Sequence, residues 1–464
     1  MRASAPALTL LQSAADTGPP PYPAQAQASE PNSDPDSESA GAPAAAPVPV
    51  RERVLVIAPH SSYRTVPFVE AAHRLGVEIL IASEGKHSLV SACARGLHIR
   101  LAETQAALDL ILEEARARPF AGIIGTDDAT TELAALAACR LELPHNRPDA
   151  VRIARRKDLA RARLCEAGVP VPFHLCIALD RPLAPQLARV RFPCVLKPVA
   201  LAASRGVIRA DDPAQLDWAC ARIARILASA EHLGDAERKL LLVEDFIPGF
   251  ELAVEGMLNG GALDMLAVFD KPDPLDGPFF EETYYVTPSR LPIRTQEEIR
   301  RRVGDACAAY GLEEGPVHAE CRINGAGVWI LEVAARTIGG LCGRLLRFGT
   351  GYGLEELVLA HATGRPLAPE RGEGAAGVLM IPIPQAGILR RVEGLSAARD
   401  IPYIEEVNIQ VREGYELVPL PEGASYLGFI FARAPTPEQA ETALRAAHAC
   451  LNVVVAPMWK AVLA

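Results

Sequence analysis

The chain has 464 residues, 49% of them hydrophobic and 22% charged, and 47 basic against 57 acidic side chains leave a formal net charge of −10. That mixture fits a globular protein of roughly three folded units, and the acidic balance without a basic run excludes the electrostatic footprint of a nucleic-acid binder. No stretch approaches the ~18 apolar residues of a membrane span, and the ten cysteines form no Cys-x-x-Cys pair, which reads as free thiols in the reducing cytoplasm.

Residues 1–50 are rich in Ala, Pro, Ser, Asp and Gly, as in PPPYP, SDPDSES and APAAAPVPV. Such a segment buries too little apolar surface to offset its ordering entropy, so a disordered tail is expected. Its first residues carry one Arg and a broken apolar stretch, a poor match to a signal peptide. Order is expected to begin at RVLVIAP (53–59), an unbroken apolar run of the kind found in buried parallel strands. Strand and helix patterns then alternate through VPFVEAAHRLG, VEILIAS, a helix at 104–118, AGIIGTDD and a helix ending at Arg140. Alternation of this kind predicts an open parallel sheet over 51–145, Rossmann-like in outline. The first strand is followed by PHSSYRT, with no G-x-G-x-x-G, so a nicotinamide site is disfavoured.

A helix over 148–168 would carry Lys157 and end at Gly168, with Pro170 beyond it. Next come a strand at CVLKPV (194–199), a loop ALAASRG (200–206) and a helix from Asp212 to about Leu233. Strands KLLLVEDFI and LAVEGML flank Pro248–Glu251, and VHAECRI and VWILEVA flank NGAG as a hairpin. The last 90 or so residues read as a small α+β lobe with strands near 376–383 and 426–433 and a helix from Pro437 to Leu451.

Three places in this order carry chemistry. Lys197 lies inside the apolar run VLKPV, where an unpaired ammonium costs several kcal/mol, so it meets a carboxylate or a phosphate. The small residues that follow, through Ser204 and Gly206, let backbone N–H groups approach an anion. A structural ion pair explains Lys197 equally well in isolation. The segment VEDFIPGFE suits an adenosine: the backbone of Asp245, Phe246 and Ile247 at the base edge, Glu251 at the ribose hydroxyls. A plain strand–turn–strand with solvated acids is the alternative. The third place is the hairpin that bears Glu320 and Glu332, with Arg336 four residues later. Opposed glutamates repel unless a cation sits between them, and oxygen-only ligation favours Mg²⁺. Placing both on one face requires a five-residue connection (Asn324 to Val328), or a three-residue one that leaves them diagonal.

Taken together, Lys157, VLKPV, ASRGV, VEDFIPGFE, HAEC and EVAARTIGG resemble the ATP-grasp superfamily over roughly residues 53–370. Within it the chain looks most like the bacterial L-amino acid ligases, which share a PHSSYR-type first loop, a DK…EE segment and a small C-terminal lobe. The resemblance implies an α/β ATP-grasp fold: a pre-ATP-grasp domain at 51–145, an ATP-grasp domain at 146–372 with its lid at about 165–243, and a small lobe at 373–464. It implies an enzyme that uses ATP to activate a small carboxylate, expected to be an amino acid, as an acyl phosphate and couples it to an amine. A carboxylase, a nucleotide or specialised-metabolite ligase, and a non-catalytic ATP-binding protein are the other readings.

By the same resemblance Lys157 and Lys197 hold phosphates under a lid loop with Ser204 and Gly206, and Glu244 with the backbone around Phe246 receives adenine. Glu320 and Glu332 ligate Mg²⁺, with Mn²⁺ as the substitute ion, and Arg336 stabilises the acyl phosphate. Gly339 and Gly340 give substrate access to backbone, and Lys271, Glu281 and Glu282 are substrate candidates, although their Pro- and Asp-rich surroundings fit solvated charge too. One position departs from the family pattern: Ala334 stands where many members have a metal-completing Asn. The partners implied are small-molecule carboxylate and amine substrates, without nucleic acid or membrane, in a cytoplasmic protein for which a homodimer is in keeping with the superfamily.

Overall fold

The computed structural model describes residues 52–60, 62–85, 95–230, 233–347, 351–367 and 372–458. The expected tail at 1–50 and Cys93 lie outside the described residues. Four strands open the chain: β1 (Arg53–Ile57), β2 (Glu78–Ser83), β3 (Arg95–His98) and β4 (Gly122–Gly125). They form a parallel sheet in the order β3-β2-β1-β4. Every residue of β1 is buried, because helices cover both faces of such a sheet. The sheet's loops after β1 and β4 hold Tyr63, Arg64, Asp127 and Asp128.

The expected helix over 148–168 is two helices, Pro148–Arg155 and Lys157–Glu166, broken where Arg156 is extended (φ −101°, ψ 105°). The Arg156 guanidinium turns back onto Asp158 at 2.7–2.9 Å. Lys157 therefore opens a helix instead of riding in the middle of one, and its amide donates to Val199 O at 2.9 Å. A lid sheet follows, built from β5 (His174–Ala178), β6 (Cys194–Pro198), β7 (Ile208–Ala210) and β8 (Leu240–Asp245) in the order β5-β8-β6-β7. The helix Pro213–Ala228 backs it, started by the Asp212 side chain accepting from the Gln215 amide.

The remaining strands are β9 (Phe250–Asn259), β10 (Ala262–Asp270), β11 (Tyr284–Thr287), β12 (Gly315–Asn324), β13 (Gly327–Ala334), β14 (Ala375–Ile381), β15 (Gly387–Glu393), β16 (Ile404–Ile409), β17 (Glu416–Leu417), β18 (Gly428–Ala434) and β19 (Asn452–Ala456). Eight of them make one antiparallel sheet, β13-β12-β9-β10-β11-β14-β18-β16. The C-terminal strands β14, β18 and β16 thus continue the central sheet through β11, while β17-β15-β19 form a small sheet beside it. Among the described residues no helix is long and apolar enough to cross a membrane.

The β12–β13 hairpin solves its register differently from the expected long connection. The turn is only Gly325–Ala326, since Asn324 pairs with Gly327. A two-residue turn would put Glu332 on the face opposite Glu320. One bulge, at Leu331, supplies the missing residue: Cys321 pairs with Ile330, but Glu320 pairs with Glu332. From the bulge onward Glu332, Ala334 and Arg336 are turned to the side of Glu320 and His318.

Strand β9 lies at the centre of this arrangement, between β12 and β10, and its Leu258 is fully buried with Val303, Tyr310 and Val317 in the same core. Leu258→Ala should lower the unfolding free energy by about 2–5 kcal/mol through the cavity it leaves. Urea denaturation followed by circular dichroism reads this, and an unchanged midpoint would mean that the sheet centre is not packed as described.

Candidate active site

The lid sheet and the β9–β12–β13 face enclose a cleft of about 910 Å³. Lys197 projects from β6 into it, and its Nζ lies 2.6 Å from Glu244 Oε2 on β8. The other Glu244 oxygen accepts from Arg161 Nε, and Arg161 Nη2 donates to Leu331 O at 2.7 Å, on the bulge itself. Burial opposes the charge on Glu244, but Arg161 and Lys197 outweigh it and hold the carboxyl down to about 2. Lys157 has the same kind of partner: Nζ is 3.1 Å from Glu332 Oε2 and donates to Leu201 O at 2.9 Å. Burial again works against Glu332 ionisation, and Lys157 with Arg336 keeps it below the ordinary glutamate range.

A second group of charges is centred on Lys271. The sequence offered this residue as a substrate candidate or as solvated charge, and the structure buries it to 3% exposure directly after β10. It is bonded to Glu251 Oε1 at 2.9 Å and to Glu282, with Glu320 Oε2 at 3.8 Å. Burial alone would depress the ammonium; the three carboxylates overcome it and raise the lysine well above its usual value. Glu251, Glu282 and Glu320 each offer an oxygen within 4.8 Å of the others. Burial, reinforced by Glu320 and resisted by Lys271, pushes Glu282 up to about 6.

Arg336 reaches the opposite way, to the parallel sheet. Its Nε and Nη2 fork onto the two oxygens of Asp128, each at 2.9 Å. Burial disfavours both charges, yet the pair keeps Asp128 below and Arg336 above their ordinary ranges. Next to it, Arg64 Nη1 donates to Thr126 O at 2.7 Å and Thr337 O at 3.0 Å, and Tyr63 Oη accepts from the Gly340 amide at 2.8 Å. Glu255, fully buried, accepts from the Ile338 amide at 3.1–3.2 Å and lies 3.3 Å from His318 Nδ1. The segment 336–340 is thus clamped from both sides. Its Gly340 adopts φ 62°, and a Cβ there would come within 2.7 Å of Met380 Sδ.

A second cavity, about 1660 Å³, opens on this segment. It shares Ala202, Ala203, Glu282, His318, Glu320 and Arg336 with the first. Its far wall is apolar and aromatic, with Tyr285, Met380, Tyr426 and Phe429.

Lys157, Lys197, Ser204, Phe246, Glu320, Glu332 and Arg336 all line the first cleft, as do Asp245 and Ile247. Glu244, which also lines the cleft, has one oxygen engaged by Lys197 and the other by Arg161. Glu251 is likewise occupied, by Lys271 and by Arg322 Nε at 2.7 Å. The amides of Asp245 and Phe246 donate to Phe173 O and Pro193 O, both at 2.9 Å. Gly206 and Glu281 are not among the residues lining either cavity; the Gly206 amide donates to Pro421 O at 2.9 Å. Gly339 and Gly340 line the second cavity only.

Asp128, Arg161, Glu255 and Arg322 were not foreseen. The spacing of Lys157 and Arg161, four apart on one helix, is the signal that was available for Arg161. The others meet their partners across chain separations of 71–208 residues.

Three family models match the chain: an ATP-grasp N-terminal domain over residues 69–145, an ATP-grasp domain over 190–344, and an L-amino acid ligase C-terminal domain over 379–456. A Sinorhizobium fredii protein named y4rH is 24% identical over 87% of this chain and 84% of its own. Human carnosine synthase is 29% identical over 65% of this chain, which spans only 39% of that larger protein. The crystal structure of an L-amino acid ligase from Bacillus licheniformis superposes with a TM-score of 0.77 at 25% identity, over 88% of this chain and 99% of that one.

The Lys271 cluster generates a stability prediction. Lys271→Met leaves Glu251, Glu282 and Glu320 without their shared cation and should destabilise the fold by about 3–5 kcal/mol at neutral pH. Lysine with a raised pKa contributes fully below its ordinary value, so the wild type keeps this term across neutral pH, until Glu282 begins to protonate near 6. In the variant the carboxylates protonate as pH falls, so the deficit should narrow from about pH 8 to about pH 5. Denaturant melts of both proteins across that range test the sign; a constant deficit would contradict the cluster's electrostatic origin.

Proposed function

Taking the chain as the ATP-grasp carboxylate–amine ligase that its fold and relatives make it, we propose that it joins an amino acid to an amine through an acyl phosphate. The observation that carries this reading is the meeting of two cavities at Glu282, Glu320 and Arg336, one furnished for phosphates and the other for an organic substrate.

In the first cleft, ATP would lay its phosphates against Lys157 and Lys197, whose present carboxylate partners mark where negative charge is accepted. The lid loop with Ser204 would close over them. The base would lie among Val195, Phe246, Ile247 and Leu331, an apolar slot with the Ile247 amide at its edge. The donor set fits a hard divalent cation, because Glu320 and Glu332 are directly opposed on the cleft face and offer only oxygen. Mg²⁺, with Mn²⁺ as substitute, would be held by these two and would neutralise phosphate charge. Ala334 brings no donor, so phosphate and water oxygens would fill the remaining positions.

A carboxylate is a poor acyl donor at neutral pH. Attack of its oxygen on the γ-phosphorus of ATP forms the acyl phosphate and releases ADP. Attack of the amine nitrogen on the acyl carbon then forms the amide, expels inorganic phosphate and releases one proton. The chain's own contribution is positional and electrostatic. Arg336, fixed by Asp128, presents its remaining N–H groups at the junction where charge develops on the acyl oxygen. The aromatic wall of the second cavity excludes water from an intermediate that hydrolyses readily.

Two variants test the assignment. Lys197→Ala and Arg336→Ala should each reduce ADP release in the presence of an L-amino acid pool by at least about 100-fold, the usual cost of removing a charge-stabilising donor. Mass spectrometry of wild-type reactions should reveal an amide whose formation needs both ATP and a carboxylate–amine pair. Normal turnover by Lys197→Ala would remove the site assignment. ATP hydrolysis indifferent to added substrates would remove the amino acid reading.

A further inference from the structure

The lid touches the C-terminal part of the chain at a place that none of these roles uses. The Gly206 amide donates to Pro421 O at 2.9 Å, and Arg205 Nε donates to Glu422 O at 3.0 Å. From the helix behind the lid, Arg222 forks onto the Glu422 carboxylate at 2.7 and 2.8 Å. The Arg222 guanidinium also rests on the Trp218 and Phe279 rings, 4.9 and 5.0 Å from their centroids. The Arg222 hydrogen bond keeps the Glu422 carboxyl below the ordinary glutamate range.

Both ends of this contact lead to the cavities. On the lid side, Ala203 and Ser204 hold φ of 55° and 53°, left-handed conformations that non-glycine residues keep only where neighbours enforce them. Ala203 lines both cavities. On the C-terminal side, the segment runs from Glu422 straight into Ala424, Ser425 and Tyr426, which line the second cavity. An isolated ion pair with side chains 22% and 44% exposed contributes little to global stability. Here it is joined by two main-chain bonds and ring contacts, and its two sides belong to elements otherwise linked through the cavities.

We propose that the segment Pro419–Tyr426 is a latch that holds the lid loop closed over the nucleotide and reads the occupancy of the second cavity, with Arg222 and Glu422 as its positioning residues. The role of the latch rests on the ligase reading for what closure protects, namely the acyl phosphate from water. Its geometry stands apart from that reading. A substrate that packs against Tyr426 favours the segment's present conformation, and the Arg222–Glu422 fork passes that preference to the lid.

Hydrogen exchange of the lid peptide 200–210 in the full chain, with MgADP bound, tests the latch directly. Glu422→Ala and Arg222→Glu should each speed exchange there by about three- to tenfold, with the global unfolding midpoint unchanged. The exchanged pair Arg222→Glu/Glu422→Arg should recover most of the protection. An L-amino acid pool should slow lid exchange in the wild type and leave Glu422→Ala unaffected. Lid exchange at the wild-type rate in both single variants would overturn the latch, and an equal response to the pool in Glu422→Ala would overturn its coupling to the second cavity. In turnover, the single variants should release more ADP than the amide they form, and an unchanged ratio would overturn the protective role. Absence of amide from every protein, with lid exchange responding as described, would overturn the ligase reading and leave the latch standing.

Discussion

Two ammonium groups held inside a folded cleft are the constraint on which the site depends. Lys157 and Lys197 are each paired with a glutamate, and one of those glutamates with an arginine as well. Arg161 joins the two halves of this arrangement, because one end of its guanidinium holds Glu244 under the lid and the other holds the Leu331 carbonyl on the central sheet. A charge placed for chemistry has thereby become a reason for lid and sheet to stay together. The same economy recurs at Asp128, where the fork that fixes Arg336 also ties the parallel sheet to the end of β13.

Much of this was legible in the sequence, for physical reasons that can be named. Lys197 stood out because an ammonium inside VLKPV has no tolerable environment except an anion. Glu332 stood out in the same way inside VWILEV. The parallel sheet followed from β1, whose five residues are all apolar or, like Arg53, buried with partners. What the sequence could not convey was how the hairpin faces were reconciled. Counting residues between Glu320 and Glu332 requires an odd connection, and the chain meets that parity with a bulge inside β13 instead of a longer turn. A bulge at Leu331 has no glycine or proline to announce it.

The ion pairs of the nucleoside segment were hidden for a different reason. Glu244 and Glu251 were read as open to a nucleoside because each ends or begins a strand beside a turn. Their partners Arg161, Lys271 and Arg322 lie 83, 20 and 71 residues away and arrive only through tertiary packing. Lys271 was obscured by its neighbours: the Pro- and Asp-rich run after it resembles a solvated loop, and only the pairing of Asp270 with Val286 brings β10 and β11 together over it. Burial of a charge is a property of the fold, and local composition does not report it.

The position of Ala334 shows how these layers combine. The bulge turns it to the same side as Glu332, and in register it faces His318. On that side His318 Nε2 approaches Glu320 Oε1 at 3.6 Å. Ala334 is itself buried, at 3% exposure. His318 is itself held from behind by Glu255, the carboxyl that also fixes the Ile338 amide and with it the segment that carries Arg336. One buried carboxyl thus serves two neighbours of the site at once, the imidazole beside Glu320 and the backbone that leads from Arg336.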